Sequence, residues 1–221
     1  MHPQIYEICK MISEKYNLDI GINTNCIEIE KLIYMIKHKW INRVIVGLDY
    51  FDKDISKNSP VGVSSKQILD NILKIKSFGC DVSISSVYND DLENKIKMLE
   101  WGIEHEVRIK ILEIVNYKKE KNTSKEFLKM EKILQNKFKL SYKKDSYNEI
   151  SGYIDNRKVV TFFHSHCKIR ECDICKKIHL RITANGKMKQ CMYNDEDDID
   201  VKNTQFKENL KKYIERPAKF Y

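Results

Sequence analysis

Segments of strand length and helix length alternate four times in the first half of this chain of 221 residues. Strands are predicted where short, mostly apolar segments are bounded by turn residues, at residues 18–22, 43–48, 81–87 and 107–115. Helices are predicted where apolar residues recur at helical spacing, at residues 4–16, 28–39, 64–78 and from Asp90 or Asp91 onward. This alternation predicts an α/β fold, in which right-handed crossovers place helices over a parallel sheet.

The pattern changes after one more predicted helix at residues 124–138. Two strand-like pieces, SGYID and VVTFF, follow and are joined by the turn residues Asp155 and Asn156. A helix is expected over residues 204–216, because Pro217 would end it. The change predicts two parts, an α/β domain over residues 1–139 and a small α+β extension over residues 140–221.

Four of the seven cysteines fall within 25 residues and follow the pattern C-x4-C-x2-C-x15-C: Cys167, Cys172, Cys175 and Cys191. Two thiols separated by two residues can hold one metal from a tight turn, while Cys191 returns after a glycine-containing hairpin. Zinc sites and iron-sulfur clusters both use such spacing. So dense a group disfavours four unrelated thiols, and the pattern predicts a metal site.

The composition disfavours membrane insertion and export. Hydrophobic residues make up 42% and charged residues 33% of the chain, and no apolar run approaches the roughly 20 residues that span a bilayer. The opening residues MHPQIYEICK lack the basic and apolar regions of a signal peptide. We therefore expect a cytoplasmic protein with reduced thiols and no membrane partner.

The formal net charge of +8 raises the question of a nucleic-acid partner, because lysines crowd residues 118–144. That stretch also contains Glu120, Glu126 and Glu131, and its apolar residues recur near helical spacing. This mixture is typical of a solvated helix with one buried face. We therefore expect no nucleic-acid partner.

Several short segments together resemble one enzyme family. They are HPQIYEI at the start, INTN at 22–25, VGLD at 46–49, VSISSV at 82–87, KILE at 110–113, and TFFHSH, ECDIC and LRITANGKMKQC near the end. The chain resembles radical S-adenosylmethionine (SAM) enzymes of the GTP 3′,8-cyclase type, which begin molybdenum-cofactor synthesis. This resemblance implies a partial, TIM-like (β/α) barrel. It also implies that Cys172, Cys175 and Cys191 hold an auxiliary 4Fe-4S cluster, with Cys167 as a possible fourth ligand.

One defining motif of that family does not occur in this sequence. The C-x3-C-x2-C motif that holds the SAM-cleaving cluster is absent, and Cys9, Cys26 and Cys80 are too far apart to replace it. The resemblance therefore implies a barrel without its first βα units, and a chain that does not cleave SAM alone. Such a barrel has an exposed edge, which we expect a second copy or a partner chain to cover.

The resemblance also assigns binding residues to this chain. Thr24 and Asn25 match a strand end that contacts SAM, whereas Lys110 and Arg181 match arginines that meet the substrate. Gly47 stands where the family has a serine, and Ser83 where it has a lysine that meets phosphates. These departures argue against authentic GTP cyclisation. The implied substrate is a small molecule or a peptide, and the catalytic residues stay unassigned.

Two alternatives remain open from the residues themselves. Tetrahedral zinc uses four closed ligands, and Cys167 supplies a fourth thiol. The second functional class is accordingly a non-catalytic zinc- or cluster-binding accessory protein that docks on a partner. His164 and His166 are expected to flank the metal site as loop residues.

Overall fold

The structure of the protein is a computed structural model that describes residues 3–51, 64–114, 125–145, 148–165, 181–189, 199–202, 205, 208, 210 and 211. The chain divides into two compact units. The first comprises residues 1–114 and 124–164, and the second comprises residues 115–123 and 165–221. The boundary expected after residue 139 falls inside the first unit.

Five helices and seven strands build the described part of the first unit. The helices are α1 (Ile5–Tyr16), α2 (Glu30–Lys37), α3 (Ser65–Ser77), α4 (Leu92–Glu104) and α5 (Lys125–Phe138). The strands are β1 (Gly21–Thr24), β2 (Arg43–Gly47), β3 (Asp81–Val87), β4 (Arg108–Leu112), β5 (Ser141–Lys144), β6 (Glu149–Ile154) and β7 (Arg157–Phe163). The predicted α/β alternation is therefore confirmed, with most bounds within three residues of those expected.

The seven strands form one sheet in the order β1-β2-β3-β4-β7-β6-β5. Strands β1 to β4 and β7 pair in parallel, whereas β6 and β5 complete the sheet in antiparallel fashion. The sheet is thus mostly parallel, and β1 and β5 are its outermost described strands. Because β7 pairs with β4, the sheet continues past the expected boundary after residue 139.

Side-chain caps explain where two of the helices begin. The Ser64 hydroxyl accepts a hydrogen bond from the backbone N–H of Gln67, at 3.2 Å, and α3 starts at the next residue. The Asp91 carboxylate accepts a hydrogen bond from the N–H of Asn94, at 3.1 Å, and α4 follows. Each cap satisfies a backbone donor that the first helical turn leaves without a partner.

The helices cover one face of the sheet and build its core. This face carries the fully buried side chains of Val44, Ile84, Ile109 and Phe162. Helix α4 approaches so closely that a Cβ on Gly102 would lie 2.8 Å from side-chain atoms of Ile109. A glycine is therefore required at this point of the helix.

A tight turn and a small antiparallel sheet follow the parallel region. The predicted turn between β6 and β7 is confirmed, with φ of 49° at Asp155 and 64° at Asn156, as two-residue hairpins require. The second unit contains β8 (Arg181–Ile182), β9 (Lys187–Lys189) and β10 (Ile199–Asp200) in one antiparallel sheet. Gly186, with φ of 79°, lies in the expected hairpin between β8 and β9. No helix within the described ranges is both long and apolar enough to cross a bilayer.

Candidate functional site

The face of the sheet opposite the helices is polar. Residues paired across parallel strands lie on the same face, so register defines which side chains share it. Gly47 of β2 pairs with Ser85 of β3, Ser85 with Lys110 of β4, Lys110 with Thr161 of β7, and Thr161 with Ser151 of β6. These five residues form one row across five strands, here called the polar row. It lies toward the carboxyl ends of the parallel strands, where ligands bind in parallel α/β folds.

Gly47, within the polar row, and Ser83, beside it, are two places where a ligand could make contact. Among the described residues, a Cβ added to Gly47 would meet only the carbonyl oxygen of Thr24, at 3.9 Å, so the described part of the chain leaves space above this residue. Ser83, on the same face as Ser85, is fully buried, and its hydroxyl has no hydrogen-bond partner among the described residues. Buried hydroxyls are normally paired, so an unpaired one marks a candidate contact for a ligand or a water.

Lys110 brings a positive charge into the centre of the row. Burial lowers the pKa of its ammonium, and the nearby Arg108 and Arg43 lower it further, whereas Glu149 and Asp81 oppose the shift. The Lys110 Nζ lies 6.0 Å from the ring centroid of Phe163. A partly desolvated ammonium attracts an anionic group, and two arginines lie near it together with two carboxylates.

A hydrogen-bonded network fixes the β6 end of the row. The Ser151 hydroxyl donates to Asp145 at 2.7 Å and lies 3.2 Å from the Thr161 hydroxyl. The same Asp145 carboxylate is paired with the Lys158 ammonium. Hydrogen bonds from Lys158 and Ser151 lower the pKa of Asp145, which keeps it ionised. Thr161 is therefore held in place beside Lys110.

Thr24 and Asn25, the predicted SAM-contacting residues, shape the turn after β1. The Thr24 hydroxyl accepts a hydrogen bond from the N–H of Cys26 at 3.1 Å, and the Asn25 side chain accepts one from Ile27 at 3.3 Å. The Asn25 side chain is exposed at the same end of the sheet as Gly47. Their role in cofactor contact stays a prediction.

The loop after β2 is anchored at this end of the sheet. Asp49 accepts a hydrogen bond from the N–H of Val87 at 2.8 Å through its side chain. Its carbonyl oxygen accepts hydrogen bonds from Asn94 at 3.2 Å and from Lys95 at 3.0 Å. The first turn of α4 thus holds the exit of β2 in place.

His164 follows β7, and its side chain contacts Glu131 of α5. Its Nε2 lies 3.2 Å from a carboxylate oxygen of Glu131, and both side chains are nearly buried. Backbone and side-chain hydrogen bonds of 2.9 Å tie His164 to Asn148. His164 therefore has a carboxylate partner at the point where the chain leaves the first unit.

Most of the predicted metal site lies outside the described residues. This applies to His166 and to all four predicted ligands, Cys167, Cys172, Cys175 and Cys191. Arg181 is described and begins β8, where it pairs with Lys189. No group of three or more His, Cys, Asp or Glu side chains that could hold a metal occurs among the residues with a described placement.

The other three cysteines are core residues of the first unit. Cys9, Cys26 and Cys80 are buried, with exposed fractions of 2%, 0% and 7%. Burial raises the pKa of the Cys26 thiol to about 12, and burial with the charge of Asp81 raises that of Cys80 to about 11. Because metals bind the thiolate, these thiols are poor ligands.

Sequence reasoning singled out Lys110 but missed the hydroxyls beside it. Ser85, Thr161 and Ser151 form the polar row with Lys110 and Gly47. The signal was present in β3, where serines at 83 and 85 alternate with the apolar residues 82 and 84. Serines that alternate with apolar residues indicate that one face of β3 is polar and the other apolar.

Comparison with known sequences finds distant relatives. No family model matches the chain. It is 29% identical to the GTP 3′,8-cyclase of Lactiplantibacillus plantarum over 82% of this chain and 57% of the relative. It is 25% identical to that of Limosilactobacillus fermentum, over 91% and 63% of the two chains. A probable GTP 3′,8-cyclase of Methanococcus maripaludis is 24% identical over 94% of this chain and 70% of the relative.

Solved structures show the same kind of fold. The crystal structure of Streptococcus suis SuiB bound to S-adenosylmethionine superposes with a TM-score of 0.58 at 14% identity, covering 86% of this chain and 46% of SuiB. SuiB bound to its precursor peptide SuiA gives the same score over 81% and 44%. Distant similarity to GTP 3′,8-cyclases and to the fold of SuiB thus extends over most of the chain. The chain spans about three fifths of the length of the first two relatives.

Proposed function

We propose that this chain is the cluster-binding and substrate-facing part of a radical SAM-type protein related to GTP 3′,8-cyclases. The similarity to these cyclases over 82% to 97% of the chain is the observation that carries the proposal. The polar row adds physical support, because it gathers Lys110 and three hydroxyls at the ligand-binding end of a parallel sheet. For the fold, we propose that the mostly parallel sheet and its helices are part of a TIM-like (β/α) barrel.

The auxiliary cluster is assigned to Cys172, Cys175 and Cys191. Their donor set fits a 4Fe-4S cluster, which is held by thiolates, and the buried core cysteines are excluded by their raised pKa or by burial. Three protein ligands would leave one iron with a free coordination position. Such an iron supplies Lewis-acid chemistry to a bound substrate. Cys167 is the candidate for a fourth ligand.

The substrate is proposed to carry an anionic group that meets Lys110. A phosphate or carboxylate would accept hydrogen bonds from the Lys110 ammonium and from the Ser85 hydroxyl. Ser83 offers a further unpaired hydroxyl on the same face. Arg181, in the second unit, is proposed separately as a substrate contact on the resemblance alone, because a guanidinium fits such groups in bidentate geometry. The substrate class is a small molecule or a peptide.

SAM cleavage is not proposed for these 221 residues alone. The sequence contains no C-x3-C-x2-C motif for the cluster that this reaction requires. Thr24 and Asn25 are the candidate SAM contacts when the remaining part is supplied. Translation of the DNA upstream of Met1 tests whether a longer enzyme exists. A C-x3-C-x2-C motif in the same frame would indicate a longer enzyme, whereas an in-frame stop would contradict a longer enzyme.

The second candidate function is a zinc-binding accessory protein. The specific observation in its favour is the fourth cysteine, Cys167, because structural zinc sites close all four positions with protein ligands. Such a protein would need no substrate, and its metal would hold the C-terminal segment together. The polar row would then have no ligand.

Metal identity separates the two candidates. The full chain is purified without oxygen, reconstituted with iron and sulfide, and analysed for iron, sulfide and zinc. We expect a brown protein with about four iron atoms and broad visible absorption. A colourless protein that retains one equivalent of zinc after reconstitution would contradict the iron-sulfur assignment and favour the accessory protein.

A further inference from the structure

The hydroxyl of Thr161 donates its proton away from the centre of the polar row. The Ser151 hydroxyl oxygen lies 2.7 Å from an Asp145 carboxylate oxygen and 3.2 Å from the Thr161 hydroxyl oxygen. Hydrogen bonds from Lys158 and Ser151 lower the pKa of Asp145, so its carboxylate is ionised and can only accept. Ser151 therefore gives its one proton to Asp145. The contact between the two hydroxyls is then a hydrogen bond from Thr161 to Ser151.

Burial keeps this hydrogen-bonded chain in one direction. Ser151 is fully buried, Thr161 is 6% exposed, and the two residues lie directly opposite each other in the pairing of β6 with β7. Lys158 is paired with the same Asp145 oxygen that accepts from Ser151. If Ser151 turned its proton toward Thr161, it would leave a carboxylate oxygen facing a hydroxyl oxygen with no proton between them. Lost hydrogen bonds of buried groups are unfavourable, so the reversed direction is disfavoured.

The oxygen of Thr161 is left as an acceptor beside the cation of the row. Lys110 pairs with Thr161, and Ser85 pairs with Lys110, so the three side chains are neighbours on one face of the sheet. No second hydrogen bond of the Thr161 hydroxyl occurs within the described part of the chain. With its proton already donated, this oxygen can accept a further hydrogen bond but cannot donate one.

The other polar groups of this region have the opposite character. The Lys110 ammonium can only donate. Ser83 is fully buried on the same face, and its hydroxyl, which has no partner among the described residues, can donate as well. Neighbouring strands are about 5 Å apart, so a cation and an acceptor of fixed direction lie side by side. An anionic group fits the first position, but the lone pairs of Thr161 would repel it at the second.

We propose that the polar row recognises two neighbouring groups of its substrate, an anionic group at Lys110 and a hydroxyl or amine donor at Thr161. This inference rests on the proposed function, which places the anionic group at Lys110, and it adds the requirement for a donor about 5 Å away. It narrows the substrate class to phosphates or carboxylates that carry a nearby hydroxyl or amine. Asp145 and Ser151 are positioning residues, because they act on the substrate only through Thr161.

Three phosphate esters of similar size test this pattern on the full chain. Hydroxyethyl phosphate carries a hydroxyl donor, methoxyethyl phosphate replaces it with an oxygen that can only accept, and propyl phosphate offers neither. Binding of each probe is measured by titration followed by NMR. We expect hydroxyethyl phosphate to bind about 5-fold more tightly than the other two, which is the effect of one hydrogen bond. Methoxyethyl phosphate that binds as tightly as hydroxyethyl phosphate would overturn the proposal.

Variants of the chain separate the direction of the hydrogen bond from a structural role. Thr161→Val should abolish the preference for hydroxyethyl phosphate, whereas Thr161→Ser keeps the hydroxyl and should retain it. Ser151→Ala lets Thr161 turn its proton toward the ligand, so methoxyethyl phosphate should now bind more tightly than propyl phosphate. Circular dichroism checks that each variant is folded. A preference that persists in Thr161→Val would contradict the inference.

Lys110→Met distinguishes failure of this inference from failure of the proposed function. If the three esters bind the unmodified chain no more tightly than they bind Lys110→Met, the anionic contact is wrong and the inference falls with it. If Lys110→Met weakens binding but the unmodified chain does not discriminate among the three esters, the anionic contact stands and only the donor requirement at Thr161 is overturned.

Discussion

The ammonium nitrogen of Lys95 lies 2.6 Å from the hydroxyl oxygen of Ser86, inside the layer between α4 and the sheet. Lys95 is fully buried and also donates to the carbonyl oxygen of Asp49. Burial lowers its pKa from 10.5 to about 8, although Asp49 and Asp91 oppose the shift. The protein therefore uses a costly buried cation to join α4, β3 and the exit of β2 beneath the polar row.

This lowered pKa predicts a pH dependence of stability. Between about pH 8 and 10.5 the unfolded chain holds the Lys95 proton more tightly than the folded chain, so this residue makes folding more favourable as pH rises. The unfolding free energy of the unmodified chain, relative to Lys95→Met, should rise by about 1 to 2 kcal/mol between pH 7.5 and 9.5. Urea denaturation at several pH values measures it, and a flat or falling difference would contradict the buried cation.

Close packing around Gly102 of α4 and the more open surroundings of Gly47 of β2 predict different effects of two glycine substitutions. Gly102→Ala places a methyl group 2.7 Å from the carbonyl oxygen of Val107, and should lower the unfolding free energy by about 1 to 3 kcal/mol despite the better helix propensity of alanine. Gly47→Ala meets no described atom closer than 3.9 Å and should change the unfolding free energy by less than about 0.5 kcal/mol. Thermal and urea denaturation compare the two. Equal effects would contradict the described packing.

The hydrogen-bonded network at Asp145 is predicted to stabilise the folded chain, and this stabilisation should be lost in acid. Its pKa is lowered by hydrogen bonds from Lys158 and Ser151, so its stabilisation is complete well above pH 3.8 and is lost as pH falls through the lower folded value. The stability advantage of the unmodified chain over Asp145→Asn should therefore shrink between pH 5 and pH 2. Lys158→Met should reduce that advantage even at neutral pH. An advantage that stays constant with pH would argue against the ion pair.

Lys110 is expected to contribute most of the affinity of the polar row for anions. GTP, the nucleotide in the name of the sequence relatives, serves as the probe in calorimetric titration. Lys110→Met should weaken binding about 10-fold or more, because one charge-assisted contact is lost. Lys129→Met, an exposed lysine on α5, is the control for net charge. Equal weakening by both variants would indicate non-specific attraction.

Much of the first unit could be predicted from sequence because its signals are local. The β3 bounds were predicted to the residue. The starts of α3 and α4 were predicted from capping residues, Ser64 or Ser65 and Asp90 or Asp91, and Ser64 and Asp91 are the residues that form the caps. Strand β1 was predicted three residues early, because Leu18 belongs to the exposed link after the left-handed Asn17 that ends α1. Strand β5 was not predicted, since its residues SYKK carry a weak strand pattern and pair only on one side.

The site was only partly predictable because cross-strand register is not a local property. Lys110 was named from a resemblance, but nothing in the sequence around it shows that Ser85 and Thr161 are its neighbours. The buried Lys95 was also missed, since a lysine in the first turn of an amphipathic helix normally faces solvent. The cysteine segment stays a prediction, because its ligands lie outside the described residues.

The iron content of cysteine variants tests the central claim most directly. Cys175→Ser removes one proposed ligand, whereas Cys80→Ala removes a buried core thiol of raised pKa and serves as the control. After anaerobic reconstitution, we expect about four iron atoms per chain in the unmodified protein and in Cys80→Ala, and loss of most of the iron in Cys175→Ser. Full iron content in Cys175→Ser, or no iron in the unmodified chain, would contradict the assignment of the cluster to the C-terminal cysteines.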